Sequence, residues 1–284
     1  MKKLLFIALC FSLSFNIKAQ IKTPQPSPSS KLEQKVGLTD VTIEYSRPGV
    51  KGRTIFGGLL PFGKLWRAGA NQNTKITFST DVTFGDQTLK AGSYAMYIIP
   101  NKDTWDLMFY TDTSNWGLPQ KWDDSKVAAK VSAGVNDVPF NVETFTIDVN
   151  SITNNGAALE FIWEKTYVAF PFTVPTEQAV MASIERTMAG PGPNDYFSAA
   201  LYYLQENKDL DQALTWIDKA IEMGKAANKG VEPFWMVRQK SLILAKKGDK
   251  KGAIKAAQRS LELAEKAGND DYVKMNKESL KEWQ

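Results

Sequence analysis

Residues Asn154–Val180 read NNGAALEFIWEKTYVAFPFTVPTEQAV, and the spacing of their apolar side chains changes once along the way. Up to Val174 the apolar residues recur with period two, as they do in a strand whose side chains point alternately to either face. Pro175 breaks that pattern, because proline has no N–H to give to a sheet ladder. From Thr176 the spacing becomes helical and continues to Met188. Two architectures therefore meet near residue 175, with strands before it and helices after it.

Towards the N-terminus the alternation recurs in VTIEY, where Val41, Ile43 and Tyr45 share a face, and in TKITFST, where Ile76 and Phe78 do. SYAMYII (93–99), TWDLMFYT (104–111), NVETFTIDV (141–149), AALEFIW (157–163) and YVAFPFTV (167–174) continue the series. β-Branched and aromatic residues dominate these runs, and Asn, Gly, Asp and Pro separate them. Asn154-Asn155-Gly156 predicts a tight turn between two strands. Eight or more short strands with no helix between them predict an antiparallel β-sandwich or flattened barrel over residues 31–175.

In the other direction, Gly190-Pro191-Gly192-Pro193 stops the first helix, so residues 176–193 read as a helix and a linker. Paired helices are then predicted at Asn194–Glu206 with Leu210–Met223, and at Glu232–Lys247 with Lys250–Ala267. A last helix is predicted at Asp270–Trp283. The second helices carry Asp211-Gln212-Ala213 with Trp216, Ile217 and Ala220, and Lys251-Gly252-Ala253 with Ala257 and Ser260. These offsets put small residues where helices must approach closely, and on them residues 194–284 resemble a tetratricopeptide array. Ala213 and Ala253 are 40 residues apart, against about 34 in that family. The loop Ala226–Val231 would absorb the excess, and the first helices lack the family's Trp, Leu-Gly and Tyr signature. The Trp and Leu stripes of these helices read first as packing between helices, and otherwise as a concave face for a protein or peptide partner. Lys246, Lys247, Lys250, Lys251 and Lys255 crowd one helix hairpin and read as a solvated turn. The predicted fold class is thus α+β with two domains, an antiparallel β-sandwich followed by a tetratricopeptide-like α-helical array.

The chain starts MKKLLFIALCFSLSFNIKAQ: two lysines, an apolar run from Leu4 to Phe15, and a small residue at Ala19. This is the pattern of a secretory signal over residues 1–19, too short for a spanning helix. An exported protein, periplasmic or secreted, is expected, with no transmembrane segment in the mature chain. Residues 20–30 include the Pro/Ser-rich TPQPSPSS and read as an extended tether. The single cysteine, Cys10, falls within the signal, so no disulfide framework is expected. Residues 20–175 carry 15 cations and 15 anions, and residues 176–284 carry 17 and 16. That balance argues against nucleic acid as a partner. There is no histidine, which excludes a Ser-His-Asp triad and His-ligated metal sites. No metal or cofactor is expected.

One stretch departs from this balance. Ser46–Thr74, SRPGVKGRTIFGGLLPFGKLWRAGANQNT, holds five cations (Arg47, Lys51, Arg53, Lys64, Arg67), six glycines, two prolines and no carboxylate. Gly58-Leu-Leu-Pro-Phe-Gly63-Lys64-Leu65 satisfies GxxxxGK, but Leu65 stands where a phosphate loop needs Ser or Thr, and Pro61 has no N–H to offer. A guanidinium fork instead suits a carboxylate or phosphate, and glycines let backbone N–H groups approach an anion. Asn71 and Thr74 add neutral hydrogen-bonding groups, and Trp66 a flat face for a sugar or a guanidinium. Arg47, Lys51, Arg53, Trp66, Arg67, Asn71 and Thr74 are therefore the candidate ligand-binding residues for a small acidic ligand. The competing expectation is that the three arginines pair internally with Asp40, Glu44, Asp81 or Asp86 and tie the loop down.

The same residues carry a family likeness. Gly37-Leu-Thr-Asp40, Tyr45-Ser-Arg-Pro48, Lys51-Gly-Arg53 with Ile55-Phe-Gly57, Pro61 with Gly63, Trp66-Arg-Ala-Gly-Ala-Asn71 with Thr74, Ala91-Gly-Ser-Tyr94 and Ile99-Pro100 are the residues concerned. On them, residues from about Pro28 to Val174 resemble the domain-of-unknown-function 2911 family. That resemblance implies export and a β-rich domain, and it supplies no reaction and no catalytic residue.

The function expected from the whole chain is a non-enzymatic binding or scaffolding module. Its anion pocket would be the arginine- and glycine-rich loop, and its protein-binding part the helical tail. The alternative is a histidine-independent hydrolase using Asp/Glu chemistry on envelope glycans or small acidic substrates. Asp103 with Asp106, and Asp123 with Asp124, are its closest-spaced carboxylates in the strand region, and neither pair has the spacing of a calcium loop.

Overall fold

Strands come first and helices second in the computed structural model, which describes residues 23–188 and 190–283. The signal expected over residues 1–19 lies outside the described residues. In chain order the strands are β1 (Ser29–Val36), β2 (Thr39–Ser46), β3 (Thr74–Phe78), β4 (Val82–Phe84), β5 (Gln87–Leu89), β6 (Gly92–Pro100), β7 (Thr104–Tyr110), β8 (Val127–Gly134), β9 (Asn136–Asn150) and β10 (Gly156–Thr173). They form two antiparallel sheets, one ordered β1-β2-β3-β6-β7-β8 and one ordered β5-β4-β10-β9. Alternate side chains of both sheets enter one core, from Ile43, Ile76 and Phe109 of the larger sheet to Phe145, Leu159 and Phe170 of the smaller. Nine of the twelve largest fully buried side chains are Trp105, Trp163, Tyr97, Tyr110, Phe78, Phe84, Phe109, Phe145 and Phe161. Each such ring contributes roughly 1.5–3 kcal/mol by leaving water, the main stabilisation of a chain with no disulfide in this region.

Two differences from the sequence reading have physical causes. AALEFIW and YVAFPFTV are one strand, β10, not two. Glu164 takes a left-handed φ of 56°, and the register to β9 shifts on either side of it, so a bulge bends the strand without ending it. At the other end, Ser29 and Ser30 belong to β1 rather than to a tether, paired with Ser46 and Tyr45. The chain before them is also held: the carbonyls of Pro26, Ser27 and Pro28 accept from Lys51 Nζ at 3.3 Å, Asn71 Nδ2 at 3.1 Å and the Arg47 amide at 2.9 Å.

The helices are α1 (Thr176–Thr187), α2 (Pro193–Gln205), α3 (Leu210–Ala227), α4 (Phe234–Lys247), α5 (Lys250–Lys266) and α6 (Asp270–Trp283). Their starts follow from the capping residues. Asp209 accepts from the amides of Asp211 and Gln212, Asp249 from Gly252, and Asn269 from Tyr272. Pro193 opens α2 at a position where no N–H is needed. The expected small residues sit at the helix contacts: Ala213, Ala220, Ala253, Ala257 and Ser260 are fully buried. The chain divides into two compact units, one running to Thr176 and one beginning at Glu177.

Candidate functional site

The Ser46–Thr74 loop is built from backbone positions that few residues tolerate. Lys51 and Gly52 both have left-handed φ, 50° and 69°, as the two central residues of a mirror-image turn require. The Arg53 amide closes that turn on Val50 O at 3.1 Å. The Arg53 guanidinium then folds back over it, with Nε donating to Val50 O at 3.0 Å and Nη2 to Gly49 O at 2.7 Å. The next segment dives into the core: Ile55 is fully buried, and Trp66 pairs with Ile98 through two backbone hydrogen bonds of 2.7 and 2.8 Å.

The loop holds the seven candidate residues in different settings. Trp66 offers no face to a ligand: it is 7% exposed, stacks on Trp163 at 6.0 Å, meets Phe145 at 5.0 Å, and donates Nε1–H to Gly69 O. Thr74 is fully buried and donates to Ala68 O at 2.6 Å. Arg67 Nη1 donates to Asn71 O at 2.7 Å. Arg47 spans the edge of β9, with Nε on Phe145 O at 3.0 Å and Nη2 on Thr146 Oγ1 at 2.6 Å. Lys51 and Asn71 hold the Pro26–Ser27 backbone, and Asn71 also donates to Ser46 Oγ. The guanidiniums thus go to separate acceptors within the protein. Those acceptors are carbonyls and one hydroxyl, not the expected carboxylates. Asp40 meets Lys35, Glu44 meets Lys75, Asp81 meets Lys90, and Asp86 accepts from Gln87. Two carboxylates distant in sequence, on β9 and β10, do anchor the loop through its amides: Glu143 accepts from Lys51 N at 2.9 Å and Glu164 from Ile55 N at 3.3 Å.

Three of the four paired aspartates are engaged separately. Asp106 takes Ser132 and Lys130, Asp123 caps the turn at Ser125, and Asp124 accepts from Trp122 Nε1 at 2.8 Å. The carboxyls displaced from their ordinary range, Asp81, Asp106, Asp112, Asp123 and Glu262, are all held below it, with ammonium and hydroxyl partners outweighing burial where burial opposes them. Among the described residues no group of Asp and Glu is placed to hold a metal ion. No helix of the described residues is long and apolar enough to cross a membrane.

A second candidate lies in the helical unit and was not singled out by the sequence. A groove of about 680 Å³ runs between α3, α4 and α5. Leu214, Ile221, Val237 and Leu244 give its apolar floor. Its carboxylates are spent: Asp218 on Lys240 at 2.7 Å, Glu222 on Lys219 at 2.9 Å, Glu232 on Arg259 at 2.8 Å, and Asp249 on the start of α5. Lys225 and Lys255 line the same groove and have no ion-pair partner among the described residues. In the lysine-rich hairpin, Lys246 reaches Leu204 O at 2.9 Å and Lys247 reaches Asp211, so those two brace the helices.

No curated protein and no solved structure matches this chain. A family does: residues 27–172, the two-sheet part that contains the loop, match the description "Protein of unknown function (DUF2911)". With half of its length matched, the chain belongs to the family of proteins of unknown function DUF2911.

Proposed function

We propose that this is an exported, non-enzymatic binding protein, in which a β-sandwich serves as scaffold and a short tetratricopeptide-like array takes a segment of a protein partner. The observation that carries this reading is the α3–α4–α5 groove, where three of the four carboxylates pair with cations and the fourth, Asp249, caps α5, while Lys225 and Lys255 have no ion-pair partner among the described residues. An aliphatic floor under two unpaired ammonium groups suits an amphipathic segment that buries leucine-like side chains and presents carboxylates to the rim. Export rests on the signal pattern of residues 1–19. The hydrolase reading would need a carboxyl raised by an apolar setting to act as an acid, whereas the displaced carboxyls are held down. The arginine loop supports the scaffold role, because each of its three guanidiniums donates to an acceptor within the protein.

The test is fluorescence anisotropy of the protein with two labelled peptides of one length, an amphipathic Leu/Glu helix and its Leu/Lys counterpart. The Leu/Glu peptide is expected to bind and the Leu/Lys peptide not. Lys225→Glu with Lys255→Glu should weaken the first by about tenfold or more, with a strong salt dependence. Equal binding of the two peptides, or no binding of either, overturns the reading.

A further inference from the structure

The outer face of the larger sheet carries a second, smaller cluster that the core does not use. Ala95, Tyr97, Met108 and Tyr110 project there from β6 and β7, and Leu65, Ile99, Trp122 and Val127 pack over them. Trp122 is fixed in three directions. It stacks on Tyr110 with ring centres 4.7 Å apart and planes 29° apart. It meets Tyr97 at 5.5 Å and 85°. Its Nε1–H donates to Asp124 Oδ1 at 2.8 Å. Yet Trp122 stays half-buried, and it lines a groove of about 730 Å³ with Leu65, Ile99 and Met108 below and Gln87, Asp124 and Lys130 at the rim.

We infer that this groove binds a neutral saccharide, with one pyranose ring lying on the indole of Trp122. Tyr110 covers one side of the indole and Asp124 takes its N–H, so what the ring offers the groove is a π-face and no donor. A π-face attracts the axial C–H groups of a sugar, which carry a small positive charge, while the sugar's equatorial hydroxyls point outward to the rim. The rim answers those hydroxyls with an amide at Gln87, a carboxylate at Asp124 and an ammonium at Lys130, the last shared with Asp106 at 2.9 Å. With Lys130 already paired to Asp106, the rim keeps one carboxylate and no free cation, so it matches no anionic ligand and leaves Asp124 as an acceptor for hydroxyls. Because three partners hold the indole, little ordering is lost on binding, which favours a ligand with few directional contacts. This site is separate from the helical groove and stands or falls independently of it.

Calorimetric titration with cellotetraose, chitotetraose and maltotetraose tests this. The first two present flat faces of axial C–H groups and are expected to bind more tightly than maltotetraose. Trp122→Ala should weaken the best ligand by about tenfold, the worth of one aromatic contact, and Trp122→Phe should recover part of it. If Trp122→Ala does not fold, Gln87→Ala alters only the rim and should weaken binding severalfold. The inference is overturned if none of the three sugars binds, or if binding survives these substitutions unchanged.

Discussion

In the Ser46–Thr74 loop, Arg47, Arg53 and Arg67 donate to carbonyl oxygens. In the helical unit, Arg259 lies between Glu232 and Glu262, and Lys240 meets Asp218. The difference follows from what each backbone leaves unsatisfied. A helix pairs its own carbonyls except in the last turn, so its cations are left to find carboxylates. An irregular loop leaves carbonyls without partners, and leaving them so in a part-buried setting is costly. Guanidinium brings five donors in a rigid fork and can close several such gaps at once. Arg238 shows that the local acceptors decide this, not the unit. It is a helix residue only 9% exposed, and it donates to Asn276 Oδ1 and Ser279 Oγ, neutral acceptors buried between helices.

Arg47→Ala carries the largest expected effect. It strips two charged-donor hydrogen bonds from the edge of β9 and uncovers the Phe145 carbonyl. A loss of about 2–3 kcal/mol is expected in urea unfolding. Arg47→Lys should recover little of it, since one ammonium cannot span both acceptors. A loss no larger than that of Arg259→Ala would mean that the loop arginines are ordinary surface charges.

Gly117→Ala sharpens the same point from the other side. Gly117 has a left-handed φ of 82°, and a Cβ there would stand 2.8 Å from Arg67 Nη1. The substitution both strains the backbone and pushes the guanidinium off Asn71, at an expected cost of about 1–2 kcal/mol. Pairing it with Arg67→Ala should leave a double variant less destabilised than the sum of the two, because the clash disappears with the side chain. Strict additivity would show that Arg67 does not rest on Gly117. Smaller again is Arg259→Ala, which removes two partly exposed ion pairs, to Glu232 and Glu262, each worth about 0–1 kcal/mol and weaker still in high salt.

Local signals in this sequence are legible and distant pairings are not. The change of period at Pro175 and the six helices could be read directly, because 3.6-residue spacing and Asp caps are local signals. The strong strands could be read because they bury one face. β1 could not: its sequence SSKLEQKV shows little apolar alternation, and pairing with β2 holds it in place. The loop's cations were visible as a cluster, but their acceptors were not. Phe145 and Thr146 lie 98 and 99 residues beyond Arg47, and Val50 offers a backbone carbonyl that no side-chain pattern marks. Trp66 and Trp122 are the same residue type in neighbouring loops. Only the pairing of Trp66 with Ile98 sends one into the core, while a three-residue turn at Asp124–Lys126 leaves the other over the outer sheet.

Asp112 supplies the last test, one that responds to pH rather than to truncation. It lies in the segment between β7 and β8 that leads to Trp122, and no arginine serves it. Its Oδ1 accepts from the Ser114 hydroxyl at 2.6 Å and the Ser114 amide at 3.1 Å, and Oδ2 meets Lys126 at 2.9 Å. The Ser114 hydroxyl first, then Lys126, then the amide hold its carboxyl well below the usual carboxylate range. A carboxyl depressed in the folded state stabilises that state above its unfolded value of about 3.9, and this contribution disappears as pH falls through the folded value. Urea midpoints from pH 7 to pH 2 should therefore show a constant gap between wild type and Asp112→Asn above about pH 5, closing progressively below about pH 4. A gap that stays open to pH 2 would mean that the loss does not titrate, and that the folded state does not hold the Asp112 carboxyl below its unfolded value.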